Sequence, residues 1–530
     1  MKKIILPFLS VIIGSFIFAG VAQAGDDFCA KPVSTGQGLI RGKAEASQPV
    51  CVWKGIPYAA PPVGELRLRA TQPAKPHQGI LDAFEFGPAC PQKKSMFSGG
   101  ESASYNEDCL TLNIWSPKKP GKYPVMFWIH GGAFMLGAGS YQMYDGANLA
   151  GLQDLVVVSI NYRLGALGFL ALPELAGESP ENSSGNYAFL DQIQALQWVK
   201  QNIAAFNGDP NNVTIFGQSA GGMSVCALLA SPPAKGLFHQ AIPMSGGCEV
   251  TVTREKGFEL GKETLKKLGC DQADVLVCLR KKPAEAFLPK STVVEFLSGF
   301  GTDRGMGPII DGYVLPENPL NLIAKGQYNQ VPVMIGHTRD EMRLFTAFVP
   351  GLDLLPKSLV NKLIARFTGG DTTKVFALYS YADYKKPMDL FNAVSSDAFI
   401  SGGYIGAEEL CKTAPVYYYR YDWDEIKNPE KYGSFHGLDI PMVFHNDDPS
   451  YKISRKVKRA DLNLDREPLY KILMQYYANF ARSGDPNQPG LPVWPRYTPD
   501  KKERIYLDNQ IMVAPLSEKE IARYELFTKK

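Results

Sequence analysis

Short apolar runs alternate with stretches of helical periodicity through the middle of the chain. The runs are continuous, as expected of strands that are buried on both faces, and they cover residues 124–129, 155–160, 213–216, 331–335 and 416–421. Between the second and third runs, residues 186–206 carry apolar side chains at helical spacing. This alternation predicts an α/β protein with a mostly parallel central sheet and helices on both faces.

The N-terminal part of the chain departs from this alternation. Two lysines precede a run, residues 4–21, that is apolar apart from two serines, and a small-residue pattern follows it and ends at Ala24. That layout predicts a secretory signal peptide over residues 1–24, and hence export to the periplasm or the extracellular space. Residues 38–58 then alternate between apolar and polar side chains, which predicts an antiparallel hairpin at one edge of the sheet.

Composition bounds what such a chain can be. With 530 residues, of which 45% are apolar and 21% charged, the chain has material for a large core and none of the marks of a disordered sequence. Its net charge of +3 falls to +1 without the two lysines of the predicted signal peptide, which argues against a nucleic-acid partner. Length alone suggests about two or three domains. No linker, repeat or low-complexity tract divides the sequence, so we predict a single domain over residues 25–530.

The sharpest local signal is a serine that stands between glycines. The predicted strand 213–216 runs into Gly217-Gln218-Ser219-Ala220-Gly221, and a helical stretch follows. In a G-x-S-x-G turn the glycines remove clashes that the strained backbone would otherwise create, so that the serine hydroxyl stands above the sheet edge. The next helix points its positive end toward that hydroxyl. Ser219 is therefore the predicted nucleophile.

A second glycine-rich segment supports this interpretation. Residues 130–134, with the sequence HGGAF, follow the predicted strand 124–129. Consecutive small residues leave backbone N–H groups free to converge on an oxyanion, and each such donor is worth about a hundred- to a thousandfold in rate. We predict an oxyanion hole formed by the N–H groups of Gly132, Ala133 and Ala220, the last of which follows the nucleophile.

Longer motifs extend over most of the chain. They occupy residues 54–64, 107–113, 161–165, 206–210, 217–222, 308–312 and 493–495. In this order they resemble the signatures of type B carboxylesterases, the α/β-hydrolase family that also contains cholinesterases, and residues 130–140 are especially similar to bacterial para-nitrobenzyl esterases. The resemblance implies the α/β-hydrolase fold and serine esterase chemistry. No cofactor or metal site is expected.

An activated serine needs a histidine base and a carboxylate that orients it, and this fold places them in the order serine, acid, histidine. Of the six histidines, position leaves His436 and His445, and the loop after the predicted strand that ends at residue 335 offers Asp340 and Glu341. The resemblance selects Glu341 as the acid and His436 as the base. Met342 replaces the glycine that usually follows the acid in this family.

The nine cysteines are an odd number, so at least one thiol is free or pairs between chains. Cys29 and Cys51 flank the predicted hairpin and form one candidate pair. The resemblance implies two further disulfides, Cys90–Cys109 and Cys270–Cys278, and two structural ion pairs, Arg67–Glu107 and Arg163–Asp191. Three cysteines remain without an assigned state: Cys226, Cys248 and Cys411. We expect Cys226 to be a small buried residue rather than a disulfide partner.

Two departures from the cholinesterases bear on the substrate. Between Cys90 and Cys109, where cholinesterases carry an aromatic platform for choline, this chain has Phe97 and Tyr105 but no tryptophan. Gln218 stands where the family commonly has glutamate. Both changes remove groups that stabilise a cation. We therefore predict that a choline ester is not the favoured substrate and that the substrates are neutral carboxylic esters, whose acyl and alcohol sizes the sequence leaves open.

Two other functions are compatible with the same motifs. A secreted lipase would need an amphipathic lid, for which the apolar residues 345–355 are a candidate, although the same residues are also suited to a pocket wall. A non-catalytic interaction module would usually have lost one of the catalytic residues, and all three are present here.

Overall fold

The computed structural model describes residues 28–94, 104–272, 274–289, 307–347, 349–370, 372–426, 428–446 and 467–528. The predicted signal peptide lies outside these residues, and so do Phe97 and residue 348 of the candidate lid.

Two sheets are built from the described strands. The strands are β1 Val33–Thr35, β2 Gly38–Arg41, β3 Lys43–Ala44, β4 Val50–Pro57, β5 Ile80–Asp82, β6 Thr111–Pro117, β7 Tyr123–Ile129, β8 Val156–Ile160, β9 Gly208–Gln218, β10 Gln240–Met244, β11 Val333–Thr338, β12 Val416–Tyr421, β13 Glu503–Leu507 and β14 Met512–Pro515. Within the described residues they form a three-stranded sheet, β1-β2-β5, and an 11-stranded sheet in the order β14-β13-β12-β11-β10-β9-β7-β8-β6-β4-β3.

The middle of the large sheet is parallel. Every neighbouring pair from β8 through β7, β9, β10, β11 and β12 to β13 runs in parallel. Antiparallel pairs lie at both ends: β14 with β13 at one edge, and β6, β4 and β3 at the other. The prediction of a mostly parallel sheet with antiparallel N-terminal strands at one edge is therefore confirmed.

Helices connect these strands and cover the sheet. They are α1 Ala147–Gln153, α2 Gly165–Phe169, α3 Pro173–Gly177, α4 Tyr187–Asn202, α5 Ala220–Ala230, α6 Arg254–Leu268, α7 Val275–Lys281, α8 Pro319–Ala324, α9 Arg343–Ala347, α10 Lys357–Phe367, α11 Thr373–Leu378, α12 Pro387–Leu410, α13 Pro429–Tyr432, α14 Ile440–Phe444, α15 Glu467–Ser483 and α16 Glu518–Thr528. In the residues that the structure describes, no helix is both long and apolar enough to cross a membrane.

Strand β7 shows why the apolar runs are continuous. Val125, Phe127 and Ile129 belong to one apolar cluster, whereas the intervening Met126 and Trp128 belong to another. Because successive side chains of a strand point to opposite faces, the two clusters lie on opposite sides of the sheet. Both faces of the strand are thus buried, which explains why its sequence is apolar throughout rather than alternating between apolar and polar residues.

One central strand has no counterpart among the predictions. β10 lies between β9 and β11, yet its sequence, QAIPM, begins with a polar residue and contains Pro243. A proline within a run argues against a central strand, because it cannot donate a ladder hydrogen bond. Here pairing with β9 on one side and β11 on the other stabilises a strand that the local sequence does not predict.

Four disulfides join cysteines of the described residues, as Cys29–Cys51, Cys90–Cys109, Cys226–Cys248 and Cys270–Cys278. The expectation for Cys226 is wrong: it is buried, but it is bonded to Cys248, with 5.0 Å between their Cα atoms. Helix α5, which carries Cys226, packs against β10, and Cys248 follows β10 closely in the chain. Cys411 is the free cysteine of the described residues.

The two structural ion pairs implied by the resemblance are present. Arg67 Nε donates to Glu107 Oε1 over 2.7 Å. Arg163 Nη2 lies 2.7 Å from Asp191 Oδ1, and their side chains are only 4% and 0% exposed. Arg163 also donates to the backbone oxygen of Arg69, so the pair ties the loop after β8 to helix α4 and to the N-terminal part of the chain.

Candidate active site

Ser219 stands alone between strand β9 and helix α5. Its φ of 60° and ψ of −123° lie outside the regions that L-residues normally occupy. The flanking glycines permit this turn, because a Cβ on Gly217 would lie 2.6 Å from the Gly221 carbonyl carbon, and one on Gly221 would lie 2.0 Å from Ile129 O. The Ser219 amide donates to Met244 O over 2.9 Å, which anchors the turn to β10. Strained backbone of this kind is characteristic of functional sites.

The predicted oxyanion loop follows β7 and has an unusual backbone. Gly132, Ala133 and Phe134 all have positive φ, at 113°, 54° and 59°. In the described part of the chain, the N–H groups of Gly132 and Ala133 donate to no recorded acceptor. Ala220 is the first residue of α5, where N–H groups have no partner within the helix. All three predicted donors are thus free to bind an external oxygen.

His130, the residue directly before the two glycines of this loop, is fully buried. Its ring stacks on Tyr162 with 4.3 Å between centroids, and Tyr162 Oη donates to His130 O over 2.7 Å. Burial lowers the pKa of His130 to about 4, so the ring is neutral at physiological pH. Its Nδ1 lies 2.8 Å from Gly131 O, to which a protonated Nδ1 would donate.

His436 and Glu341 form a close pair. His436 Nδ1 contacts Glu341 Oε2 in a short hydrogen bond. The other oxygen, Oε1, accepts from Ser245 Oγ over 2.6 Å and from the Thr338 amide over 2.8 Å. Glu341 is 0% exposed, and these donors hold its carboxylate in one orientation toward the imidazole.

The other ring nitrogen of His436 has a partner that the sequence did not reveal. Nε2 lies 3.0 Å from Nε2 of the Gln218 side chain. Among the described residues, no hydrogen bond joins it to Ser219 Oγ, although such a bond is what the sequence led us to expect. Nucleophile–base hydrogen bonds are often long in ligand-free enzymes and tighten only when substrate binds.

Two further carboxylates lie near this pair. Asp340 is paired with two arginines: its Oδ2 and Oδ1 lie 2.8 and 3.3 Å from the Nε atoms of Arg339 and Arg343, respectively. Asp439 is 1% exposed and accepts from Tyr419 Oη over 3.2 Å. Burial raises the pKa of Asp439 to about 7, and the charge of Glu341 adds to this shift.

Aromatic side chains flank the imidazole. The rings of Phe345 and Phe399 lie 5.3 and 5.2 Å from that of His436. Phe345 therefore forms a wall beside His436, whereas Leu354, near the other end of the candidate lid, is 80% exposed. His445 packs its ring on Tyr470, with 4.7 Å between the ring centroids.

Sequence reasoning missed three residues of this site: Gln218 as a contact of His436, Ser245 and Asp439. Ser245 follows the unpredicted strand β10, and Asp439 stands three residues after His436 in the loop that was already of interest. The described residues contain no group of three or more potential metal ligands.

The sheet, the serine elbow and the histidine–carboxylate pair place the chain among the α/β-hydrolases. A thermophilic PNB esterase superposes with a TM-score of 0.81 at 36% identity, over 94% of this chain and 100% of the other. A carboxylesterase of Geobacillus stearothermophilus superposes with a TM-score of 0.79 at 35% identity, over 93% and 100% of the two chains.

Sequence comparison gives the family. The model of the carboxylesterase family matches residues 30–523. The para-nitrobenzyl esterase of Bacillus subtilis (strain 168) is 37% identical over 505 residues, 94% of this chain and 99% of the relative. The fumonisin B1 esterase of Sphingopyxis macrogoltabida is 36% identical over 84% and 81% of the two chains, and the liver carboxylesterase of Sus scrofa is 33% identical over 89% of each. This chain belongs to the carboxylesterase family and is a carboxylic ester hydrolase.

Proposed function

We propose that this protein is an exported serine esterase that hydrolyses small neutral carboxylic esters through an acyl-enzyme on Ser219. His436 is the general base and acid, and Glu341 orients it. The observation that carries the proposal is the contact between His436 Nδ1 and the buried Glu341 carboxylate, beside the strained turn that presents Ser219.

The contact with Glu341 determines which nitrogen of His436 carries the proton before acylation. Because the Glu341 carboxylate only accepts hydrogen bonds, Nδ1 carries the imidazole proton and Nε2 is unprotonated and able to accept one. His436 Nε2 takes the hydroxyl proton as Ser219 Oγ bonds to the ester carbonyl carbon. The carbonyl π electrons move to oxygen, and the N–H groups of the oxyanion loop and Ala220 stabilise the resulting charge.

Collapse of this intermediate breaks the bond to the alcohol. His436 gives its new proton to the leaving oxygen, which departs as a neutral alcohol. A water molecule then repeats the sequence on the acyl-enzyme: His436 takes its proton, the hydroxyl adds to the acyl carbon, and Ser219 leaves with the proton that His436 returns.

The surroundings of His436 favour an uncharged alcohol. Its immediate neighbours include the aromatic rings of Phe345 and Phe399 and the neutral amide of Gln218. A choline ester would find the negative charge of the usual glutamate replaced by this amide. We expect choline esters to be hydrolysed less efficiently than isosteric neutral esters, and a higher kcat/KM for the choline ester would contradict this.

The test of the mechanism is Ser219→Ala. We expect a loss of at least about ten-thousandfold in kcat, because the acyl-enzyme can no longer form. Ser231→Ala is the matched control: it removes a buried hydroxyl at the far end of α5, for which the described residues supply no hydrogen-bond partner. Full activity in Ser219→Ala would refute the mechanism.

A series of esters with increasing acyl length separates esterase from lipase. We expect kcat/KM to peak on short, water-soluble esters and to change smoothly through the critical micelle concentration of the longer ones. A sharp rise in rate above that concentration would identify a lipase with an interfacial lid.

Export is tested on the protein itself. The disulfides among the described residues are compatible with an oxidising compartment. We expect the protein recovered from the periplasm or the medium to begin at Gly25. An N-terminus at Met1, or recovery only from the cytoplasm, would contradict the signal peptide.

A further inference from the structure

Gln218 occupies a special place between the two loops of the site. It is the last residue of β9 and is 5% exposed. Its Nε2 faces His436 Nε2, while its Oε1 lies so near Gly131 that a Cβ on that glycine would approach it to 3.2 Å. The side-chain amide therefore spans the distance between the oxyanion loop and the base.

The direction of the hydrogen bond follows from the other side of the ring. Since Nδ1 donates to Glu341, Nε2 of the neutral imidazole is an acceptor. Of the two ends of the Gln218 amide, only the NH2 group can donate a hydrogen bond to it. A hydrogen bond to the neutral form of a base favours that form over the charged one. A carboxylate at the same position could not donate, and it would instead attract a proton to Nε2.

The imidazole already has carboxylates near it, so it matters whether residue 218 carries a neutral amide or a further carboxylate. Glu341 contacts Nδ1, and Asp439 lies close enough to both residues to interact electrostatically with them. Asp340, on the same loop as Glu341, forms ion pairs with Arg339 and Arg343. A glutamate at position 218 would thus add a further acid, in direct contact with the nitrogen that must receive the serine proton.

We propose that Gln218 is a positioning residue that holds His436 in its neutral, Nε2-accepting form and so extends esterase activity to lower pH than a glutamate at this position would allow. The inference rests on the proposed roles of Ser219 and His436. In the reaction the side chain of Gln218 acts through the imidazole and releases Nε2 when the serine proton arrives.

The test is the pH profile of kcat/KM, whose acid limb reports the base in the free enzyme. For Gln218→Glu we expect the limb to move to higher pH by about one unit or more, because an opposite charge in contact favours the protonated imidazole. For Gln218→Met we expect a smaller upward shift of about half a unit, because only the hydrogen bond to the neutral form is lost. On the alkaline plateau both variants should keep most of their activity.

Gln240→Glu is the matched control. Gln240 is buried at the start of β10 and accepts from Thr214 over 3.1 Å, a bond that a carboxylate can also accept. The register pairs Gln240 with Thr214 and Met244 with Gln218, so position 240 lies about 13 Å from Gln218 along the strand direction. Its acid limb should coincide with that of the wild type.

Three outcomes would overturn the proposal: a limb for Gln218→Glu no further shifted than the control, a larger shift for methionine than for glutamate, or a folded Gln218→Glu that is inactive at every pH. If glutamate prevents folding, an unshifted limb in Gln218→Met is the refuting result. Failure of the serine mechanism is detected separately by activity in Ser219→Ala.

Discussion

Asp439→Asn should stabilise the protein at alkaline pH while leaving its stability at acidic pH nearly unchanged. Asp439 is buried beside the His436–Glu341 pair, and its carboxylate accepts a hydrogen bond from Tyr419 Oη. Burial raises the pKa of Asp439 from 3.8 to about 7. An asparagine has the same shape, and its amide oxygen can accept the same bond, so the substitution removes the ionisable group and little else.

The magnitude follows from linkage. An unfolded Asp439 releases its proton near pH 4, whereas the folded one keeps it until about pH 7. Between these values the native state binds more protons than the unfolded state, so the wild type loses stability as pH rises. Each unit is worth about 1.4 kcal/mol, so the loss approaches about 4 kcal/mol above pH 7. For the roughly 450 residues that the structure describes, at about 2.1 cal/mol/K each, that corresponds to about 4 °C in Tm.

The assay is scanning calorimetry of both proteins from pH 4.5 to 8.5. We expect Tm values that differ by only about 1 °C at the acid end and by about 4 °C, in favour of Asp439→Asn, at the alkaline end. Asp340→Asn is the control, since Asp340 lies against two arginines and its neutralisation should bring no alkaline gain. A difference that is independent of pH, or a less stable Asp439→Asn at pH 8, would refute the reasoning.

Three further variants test other parts of the structure. Asp191→Asn leaves Arg163 buried without its carboxylate, which should cost about 3–5 kcal/mol and lower Tm in calorimetry; an unchanged Tm would contradict the pair's importance. Cys226→Ala with Cys248→Ala opens a loop with a sequence separation of 22 residues, and we expect a loss of about 3 kcal/mol, seen as a lower Tm than in the wild type under oxidising conditions. Ser245→Ala removes a donor to the acid beside the imidazole and should lower kcat/KM about tenfold at constant KM, whereas a rise in KM alone would exclude a positioning role.

The strands that the sequence predicts well are those whose own side chains meet the core on both faces. β12 has the predicted bounds, and β7 and β8 differ from the predicted runs by a residue at their starts. β9 is longer than its apolar run, because its polar first residues, from Gly208, also pair with β7. Pairing of this kind depends on the neighbouring strand rather than on the residues themselves, so a local pattern does not contain it.

The Cys226–Cys248 disulfide shows the same limit. Nothing in the spacing of the two cysteines distinguishes them from Cys411, and burial alone explained Cys226 adequately. The bond follows from the packing of α5 against β10, a contact between one element that was predicted and one that was not. A pairing can be inferred from sequence only when both of the elements that carry it have been placed.

The candidate site follows from the order of three parallel strands. β9, β10 and β11 are neighbours, and their register aligns Met244 with both Gln218 and Gly336. The carboxyl ends of parallel strands meet at one edge of a sheet, where ligands usually bind. The residues that follow these ends therefore come together: Ser219 after β9, Ser245 after β10 and Glu341 after β11.

Motifs supplied the first and the last of these residues, because a nucleophile elbow and an acidic loop have recognisable sequences. Ser245 has no such motif, and its strand was hidden by Pro243. Once β10 is placed between its neighbours, the hydroxyl that follows it must lie beside the acid, and the recorded 2.6 Å contact with Glu341 is the consequence. The same adjacency brings Gln218, the last residue of β9, against the base. The residues that tune this site are thus determined by strand order, and the residues proposed to react are determined by motif.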